Sequence, residues 1–298
     1  MVRTPQRPVC DYEGSDYRTR FWAGKGRDYE DLVERIALRR LLPPFGSRLI
    51  DIGAGFGRLA DEYDGYDHVV LFDYSRTLLR EAQERLGDDP RYVYVAGNWY
   101  QMPFVPGSFD ALVQIRTMHH AADVPALLRQ LARIAAPGAK YILEFANKRN
   151  LKAIARYLLK RQQWSPFAPQ PIEFVDLNFD FHPRWMREQL LRAGFQPNTQ
   201  LAVSYFRVGI LKKLAPIGLL AALDRLLQPT GRWLQLSPSV FVASRSPGVA
   251  PRTSSELFAC PECQTRLDPP PQGHLKCGGC GRLWRLNDGI YDFKEPGA

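Results

Sequence analysis

The chain has 298 residues, of which 45% are hydrophobic and 24% charged, so it is long enough for one large globular domain and a small appendage. Its amino terminus lacks the apolar stretch of a secretory signal, and no uncharged apolar run reaches bilayer length, so we expect a cytoplasmic protein without a transmembrane segment. The net charge of +9 is concentrated in residues 147–213, with 12 basic and 4 acidic side chains, which favours a phosphate-bearing partner, an anionic membrane surface or an acidic substrate.

Strand and helix patterns alternate along most of the chain. Apolar residues at helical spacing, and short apolar runs, give helices over 28–42, 75–86, 124–136 and 184–193 and strands at 48–52, 68–73, 91–96, 109–115, 140–145, 200–208 and 239–243. This order predicts a doubly wound, Rossmann-like α/β fold with a seven-stranded sheet and helices on both faces. Ligands of such sheets bind beyond the carboxyl ends of the strands.

A basic insert, residues 147–181, interrupts the alternation. It begins with an amphipathic helix predicted over residues 147–161, and we expect its apolar stripe (Leu151, Ile154 and Leu158) to face the core or an amphiphilic substrate. A Pro-rich loop follows the helix.

We divide the chain by its composition into an amino-terminal lid segment (1–29), a main domain (30–244), a Ser/Pro-rich linker (245–255) and a small module (256–298). The first segment either covers a ligand or forms a packed amino-terminal helix. Its candidate covering side chains are aromatic or basic: Tyr17, Phe21, Trp22, Lys25 and Arg27.

The turn after the first strand is rich in glycine. Asp51 ends the strand, Gly53, Gly55 and Gly57 follow, and Arg58 is expected to open a helix whose free N–H groups face a ligand. A dinucleotide fingerprint would place its third glycine at position 58, so the spacing argues against that class. Asp73 ends the next strand, where a carboxylate can accept both hydroxyl groups of a ribose.

These residues resemble the motifs of class I S-adenosylmethionine-dependent methyltransferases of the small-molecule type. Residues 49–58 resemble the first motif and residues 71–75 the second. Residues 96–104 resemble the third, with Asn98 where the family usually has an acid. The resemblance extends over about residues 30–244.

The resemblance implies a bound S-adenosylmethionine. Its implied contacts are the three glycines beside the methionine and ribose, Asp73 on the ribose, Asn98 on the adenine amino group, and Tyr74 or Trp99 against the base. Asp51 and Arg116, at the ends of the first and fourth strands, complete the predicted cofactor-binding set. An amide at position 98 still accepts the adenine hydrogen bond.

Methyl transfer needs a general base only when the acceptor arrives protonated. His119 and His120 follow the fourth strand and are the candidate catalytic residues by position. The alternative is a structural role for both, such as capping a helix.

Four cysteines occur as two CxxC pairs near the carboxyl terminus: Cys260, Cys263, Cys277 and Cys280. Their spacing predicts a structural Zn²⁺ site of the ribbon type, because each tight turn supplies two thiolates. The segment resembles the Trm112-like zinc ribbons, which are partners or fused domains of methyltransferases. Its charges nearly balance, so the composition gives no support to a grip on phosphate.

The favoured function is methyl transfer from S-adenosylmethionine to a hydrophobic or anionic small molecule. The alternative is a tRNA or rRNA methyltransferase that binds RNA through residues 147–213, although few aromatic residues are interleaved with the basic ones. A non-catalytic binding protein is the third interpretation, and the intact glycine loop and Asp73 argue against it. Residues 147–161 and 207–227 are candidates for peripheral membrane contact.

Overall fold

A computed structural model describes residues 7–15, 27–248, 256–268 and 273–297. Tyr17, Phe21, Trp22 and Lys25 of the predicted lid lie outside these ranges, as does most of the predicted linker. Among the described helices, none is long and apolar enough to cross a membrane.

The helices that define the fold are α1 (Asp28–Leu41), α2 (Arg76–Leu86), α3 (Val124–Ile134), α4 (Leu151–Leu158), α5 (Pro183–Arg192), α6 (Gly209–Leu214) and α7 (Ile217–Leu227). The strands are β1 (Gly46–Ile52), β2 (Tyr66–Asp73), β3 (Tyr92–Ala96), β4 (Phe109–Gln114), β5 (Ala135–Ala146), β6 (Ile172–Val175), β7 (Asn178–Asp180), β8 (Gln196–Val203), β9 (Ser239–Arg245), β10 (Phe258–Ala259), β11 (Arg266–Leu267), β12 (Gly273–Lys276), β13 (Leu283–Asn287) and β14 (Ile290–Gly297).

The seven predicted strands form one sheet in the order β3-β2-β1-β4-β5-β9-β8. Strands β1 to β5 are parallel, whereas β9 runs antiparallel to both β5 and β8. The strand order reverses between β1 and β4, and ligands of open α/β sheets bind at such a switch point. The ligand site is therefore expected where β1, β2 and β4 end.

Helices cover both faces of the sheet, as predicted. One buried apolar cluster joins α1, α2 and α7 to the sheet, and a second joins α3 and α5 to the opposite face. Side-chain caps fix three of these helices, because Ser75 accepts from the Leu78 N–H, Asp123 from the Ala126 N–H and His182 from the Arg184 N–H.

The predicted number of seven strands is wrong, because strands of the carboxyl-terminal module extend the sheet. Strand β14 pairs in parallel with β3, and β13 and β12 follow outward, so the sheet has ten strands in the order β12-β13-β14-β3-β2-β1-β4-β5-β9-β8. Phe258 lies 6.1 Å from Phe104 between ring centroids, within one continuous core. The pairing covers an edge strand that would otherwise expose unpaired backbone groups.

The predicted helix of the basic insert is present but shorter than expected. Its apolar stripe does not face the core, which was one of the two environments expected for it. Helix α4 begins after the cap Asn150, ends at Leu158 and buries only Ala153. Leu151 and Leu158 are exposed. The apolar stripe therefore does not pack on the sheet.

Candidate active site

The glycine loop is held between the ends of β1 and β2. The N–H groups of Gly53 and Ala54 both donate to the Phe72 carbonyl, at 2.7 and 3.2 Å. Gly53 has a φ of 73°, and a Cβ there would collide with the Thr117 side chain. The backbone thus comes close to Thr117, after β4, and a side chain at position 53 would prevent this approach.

The helix expected after this loop is absent from the described structure. Residues after Gly57 form turns and a short 3-10 helix, Ala60–Glu62. The prediction that a helix amino terminus at Arg58 faces the ligand is therefore wrong. Charged side chains, rather than a helix dipole, provide the electrostatics at this end of the site.

Asp73 lies at the centre of the candidate site. Its carboxylate accepts from the Gly55 N–H and from the Ser75 N–H, both at 2.8 Å. Burial raises the pKa of Asp73 above its ordinary value, although these amide donors oppose the shift. The carboxylate consequently ties the glycine loop to the start of α2.

A partly open cavity of about 70 Å³ is lined by Asp73 and lies beside the glycine loop. Six predicted cofactor residues and the predicted catalytic residue His120 line it: Gly53, Gly55, Asp73, Tyr74, Trp99, Arg116 and His120. Seven further lining residues were not predicted: Val9, Cys10, Tyr12, Phe72, Leu78, Gly97 and Thr117. Asn98 is outside this lining, and its side-chain oxygen accepts from the Tyr100 N–H at 2.8 Å. Gly57 also lies outside it and packs near Ala82 and Leu86.

A smaller adjoining cavity carries charges of both signs. Its lining includes Asp51, Arg58 and Arg116 as well as the glycine loop. Asp51 accepts from the Tyr63 hydroxyl at 2.9 Å, and burial raises the pKa of Asp51 to about 7. This carboxyl group is therefore poised to ionise when a cation lies beside it.

A buried ion network positions Arg116. Its Nε donates to Glu34 at 2.7 Å, and the same carboxylate accepts from Arg58 at 2.9 Å. Burial alone would raise the pKa of Glu34, but the two guanidinium groups hold it below its ordinary value. The Arg116 backbone, with a φ of 59°, donates to the buried Glu144. Both arginines are thus fixed at the rim of the cavities.

His120 is held in one tautomer by its neighbours. Its Nδ1 lies 2.8 Å from the Leu177 carbonyl, which only accepts, so Nδ1 carries the proton. Its Nε2 then accepts from the Tyr12 hydroxyl at 3.1 Å. Burial lowers the pKa of His120, so the ring is neutral at pH 7 and able to take up a proton. Tyr12 was missed because its segment carries no motif.

His119 occupies a different environment. Its ring centroid lies 4.0 Å from that of His120, but His119 is not part of the lining of either cavity. Burial, followed by the positive groups around it, places the pKa of His119 well below its ordinary value. The structure brings His120 to the cavity and leaves His119 behind it.

Residues 7–15 cover the cavity and are fastened by ion pairs. Arg7 contacts Asp123 at 2.6 Å, and Glu13 accepts from the Thr77 hydroxyl at 2.6 Å. Lys294 of β14 lies 3.4 Å from Glu13 and 3.9 Å above the centre of the Tyr74 ring. A side chain from the last strand thus links the covering segment to a residue of the cavity, a contact that no local pattern predicted.

The four predicted cysteines lie together. All four Sγ atoms are within 4.8 Å of one another. Cys260 and Cys280 are 3.7 Å apart, and Cys263 and Cys277 are 3.4 Å apart. A tetrahedral Zn²⁺ with Zn–S bonds of about 2.3 Å requires sulfurs roughly 3.8 Å apart, so the thiols fit such an ion.

Part of the chain is similar to known methyltransferases. Residues 50–143 match the family described as Methyltransferase domain. A demethylmenaquinone methyltransferase of Roseiflexus sp. (strain RS-1) is 32% identical over 129 residues, which cover 42% of this chain and 53% of that protein. The 27-O-demethylrifamycin SV methyltransferase of Amycolatopsis mediterranei is 27% identical over 44% of this chain and 51% of its own. The chain thus spans about half the length of these curated relatives.

Solved structures show the same fold at low identity. An S-adenosylmethionine-dependent methyltransferase from Mesorhizobium loti has a TM-score of 0.52 and 20% identity, over 73% of this chain and 99% of that one. A chain from the complex between the Haloferax volcanii Trm112 methyltransferase activator and a putative methyltransferase has a TM-score of 0.54 and 18% identity, over 82% of this chain and 100% of that one. Both likenesses support the Rossmann-like fold.

The raised pKa of Asp51 makes a pH-dependent contribution to stability. An acid with a raised folded-state pKa stabilises the fold at low pH and loses that contribution as the pH rises through about 7. Asp51→Asn should remove this loss. Between pH 5 and 8 we therefore expect the free energy of unfolding of the wild type to fall by about 2–3 kcal/mol relative to that of the variant. Urea unfolding of both proteins at the two pH values measures it, and parallel profiles would contradict the assignment.

Proposed function

We propose that this protein is an S-adenosylmethionine-dependent methyltransferase that acts on a small-molecule acceptor. One observation carries the proposal: the glycine loop and Asp73 line one cavity at the carboxyl ends of β1, β2 and β4. A methyltransferase-domain match over residues 50–143 supports the same activity.

The residues around the two cavities fit the chemical parts of S-adenosylmethionine. Asp73 is suited to the ribose hydroxyl groups, and Tyr74 and Trp99 to the faces of adenine. The smaller cavity offers Arg116 to a carboxylate and Asp51 to an ammonium group, which are the two charges of a free amino acid. When bound, the sulfonium supplies an electrophilic methyl group.

The role proposed for Asn98 is narrower than the resemblance implied. Its side-chain oxygen already accepts from the Tyr100 N–H. A carbonyl oxygen has two lone pairs, so a second hydrogen bond from the adenine amino group remains chemically available. In this proposal the main role of Asn98 is to fix the backbone around Trp99, and its contact with adenine is an additional one.

His120 is the proposed general base for a protonated acceptor. Its Nε2 accepts from the Tyr12 hydroxyl, and both residues line the larger cavity. An acceptor hydroxyl that takes the place of the Tyr12 hydroxyl would give its proton to Nε2, while the Leu177 carbonyl keeps the ring oriented. His119 does not line either cavity, so we assign it a structural role, in which its ring packs against that of His120.

The acceptor class follows from two further observations. The similar proteins from Roseiflexus and Amycolatopsis are named for methylation of demethylmenaquinone and of a demethylrifamycin, both small molecules. The larger cavity also has apolar walls, to which Val9, Phe72 and Leu78 contribute. A hydrophobic acceptor agrees with both, whereas the described structure adds no feature that favours tRNA or rRNA.

The four cysteines are the proposed ligands of a structural Zn²⁺. The four Sγ atoms lie within 4.8 Å of one another, close enough to bind one ion together. A closed set of four sulfurs leaves no site for water, so the ion would stabilise the fold and take no part in methyl transfer. The likeness of this segment to Trm112-type ribbons remains a prediction of the sequence.

Asp73→Ala is expected to abolish binding of S-adenosylmethionine, because it removes the ribose acceptor and releases the Gly55 N–H. Isothermal titration calorimetry measures the affinity. Circular dichroism and thermal melting establish that the variant folds, and Asp73→Asn serves as the milder change. The control is Asp64→Ala, an acid whose side chain is 77% exposed, which should bind normally. Full affinity in Asp73→Ala would refute the ribose assignment.

His120→Ala is expected to retain cofactor binding but to lose methyl transfer by about 10²–10⁴-fold, the usual contribution of a general base. The assay follows labelled methyl groups from S-adenosylmethionine into a lipid extract and into RNA of the source cells. Tyr12→Phe keeps the ring but removes the hydroxyl, which separates the packing of this ring from its hydrogen bond to His120 Nε2. Equal transfer by wild type and His120→Ala would exclude the base. Label recovered in RNA would favour the alternative function.

A further inference from the structure

Exposed apolar side chains are concentrated in two connections of the main domain. The described structure has eighteen large hydrophobic residues with exposed side chains, and all but Phe45 and Leu191 belong to residues 147–182 or 204–238. Six lie in the first connection and ten in the second: Leu151, Leu158, Leu159, Phe167, Phe174 and Val175, then Val208, Ile210, Leu211, Leu214, Leu219, Leu223, Leu226, Leu227, Trp233 and Leu234. Such a concentration marks an interaction surface.

Both connections leave and rejoin the sheet at the edge that carries the cavity. The first starts after β5 and returns at Phe181, which bridges to Asn147. The second starts after Val203 and returns at Ser239, and these two residues pair in the sheet. The first connection also reaches the site directly, because its Leu177 carbonyl holds His120. We call the exposed apolar residues of these two connections the apolar edge.

Helix α7 is anchored in the core and still exposes part of the apolar edge. Leu220, Ala221 and Asp224 are buried on one side of the helix, and the Asp224 carboxylate accepts from the Tyr29 hydroxyl at 2.8 Å. Leu219, Leu223 and Leu226, at helical spacing, are exposed on the other side. Helix α6 buries no side chain at all. Helix α7 is therefore anchored in the core, and both helices present apolar residues outward.

Positive charges accompany the apolar side chains. The two connections hold eleven lysines and arginines but four acids. Of these acids, Asp224 is fully buried. Lys213 lies beside Leu214, which is 80% exposed, and Arg232 beside Trp233, which is 78% exposed. Basic groups interleaved with protruding aliphatic and indole side chains match a partner surface with an anionic outer layer over an apolar interior.

We propose that the apolar edge docks on an anionic lipid bilayer. RNA is a poorer match, because thirteen of the sixteen exposed residues are aliphatic and offer no ring to stack on bases. A second copy would bring two positively charged faces together. Helices α6 and α7, of 6 and 11 residues, are too short to span a bilayer and lie in its interface.

Docking in this way places the cavity edge against the membrane. A hydrophobic acceptor then enters from the lipid without crossing water. This last step rests on the proposed methyltransferase function, whereas docking itself does not.

The test is sedimentation of the full-length protein with vesicles, without S-adenosylmethionine. Vesicles of phosphatidylcholine alone are compared with vesicles in which about one third of the lipid is phosphatidylglycerol, which is anionic. We expect binding to the anionic vesicles that weakens in high salt. The paired substitutions Leu214→Ser and Trp233→Ser should reduce binding at least tenfold, and Lys213→Glu with Arg232→Glu should do likewise.

The matched control is Phe45→Ser, which removes an equally exposed ring (78%) just before β1, at the opposite edge of the sheet. Its binding should equal that of the wild type. Unchanged vesicle binding in the Leu214→Ser, Trp233→Ser protein overturns the proposal. A wild-type protein that ignores anionic vesicles, or that forms a dimer broken by these substitutions, overturns it as well. Calorimetry with S-adenosylmethionine on the same samples tests the methyltransferase function separately.

Discussion

The parallel pairing of β14 with β3 is the contact on which the arrangement of the site depends. It aligns Tyr291 with Val95 and Asp292 with Ala96, next to the strand that ends in Asp73. From this position Asp292 reaches Arg76 at 2.6 Å, and Lys294 reaches Glu13 and the Tyr74 ring. Because the last strand of the chain supplies these contacts, the cysteine-bearing segment is part of the main domain's architecture.

Two buried carboxylates organise the cavity. Asp73 accepts from the Gly55 N–H and so holds the glycine loop in place. Glu34 accepts from both Arg58 and Arg116 and so fixes the two positive charges beside this loop. Such buried carboxylates are costly unless paired, so these ion pairs are stable only as complete networks. In our proposal, the apolar edge brings this cavity to a lipid bilayer, from which a hydrophobic acceptor enters.

Local patterns predicted much of this structure and failed where distant segments meet. Asp73 and the CxxC pairs were found because strand ends and tight turns are encoded by neighbouring residues. The contacts of Tyr12 and Lys294 were missed because they join parts of the chain more than a hundred residues apart. Amphipathic spacing located α4 correctly, but periodicity does not say whether an apolar stripe meets a core, as the exposed Leu158 shows.

The most direct test of this account is Lys294→Met, with Lys276→Met, an exposed lysine of β12, as control. Loss of the ion pairs and of the cation–π contact should free residues 7–15 and weaken S-adenosylmethionine binding about tenfold, or about 1.4 kcal/mol. Hydrogen exchange of residues 7–15, measured with calorimetric affinity, reports both effects. We expect faster exchange and weaker binding in Lys294→Met and neither change in Lys276→Met. Unchanged exchange and affinity would contradict it.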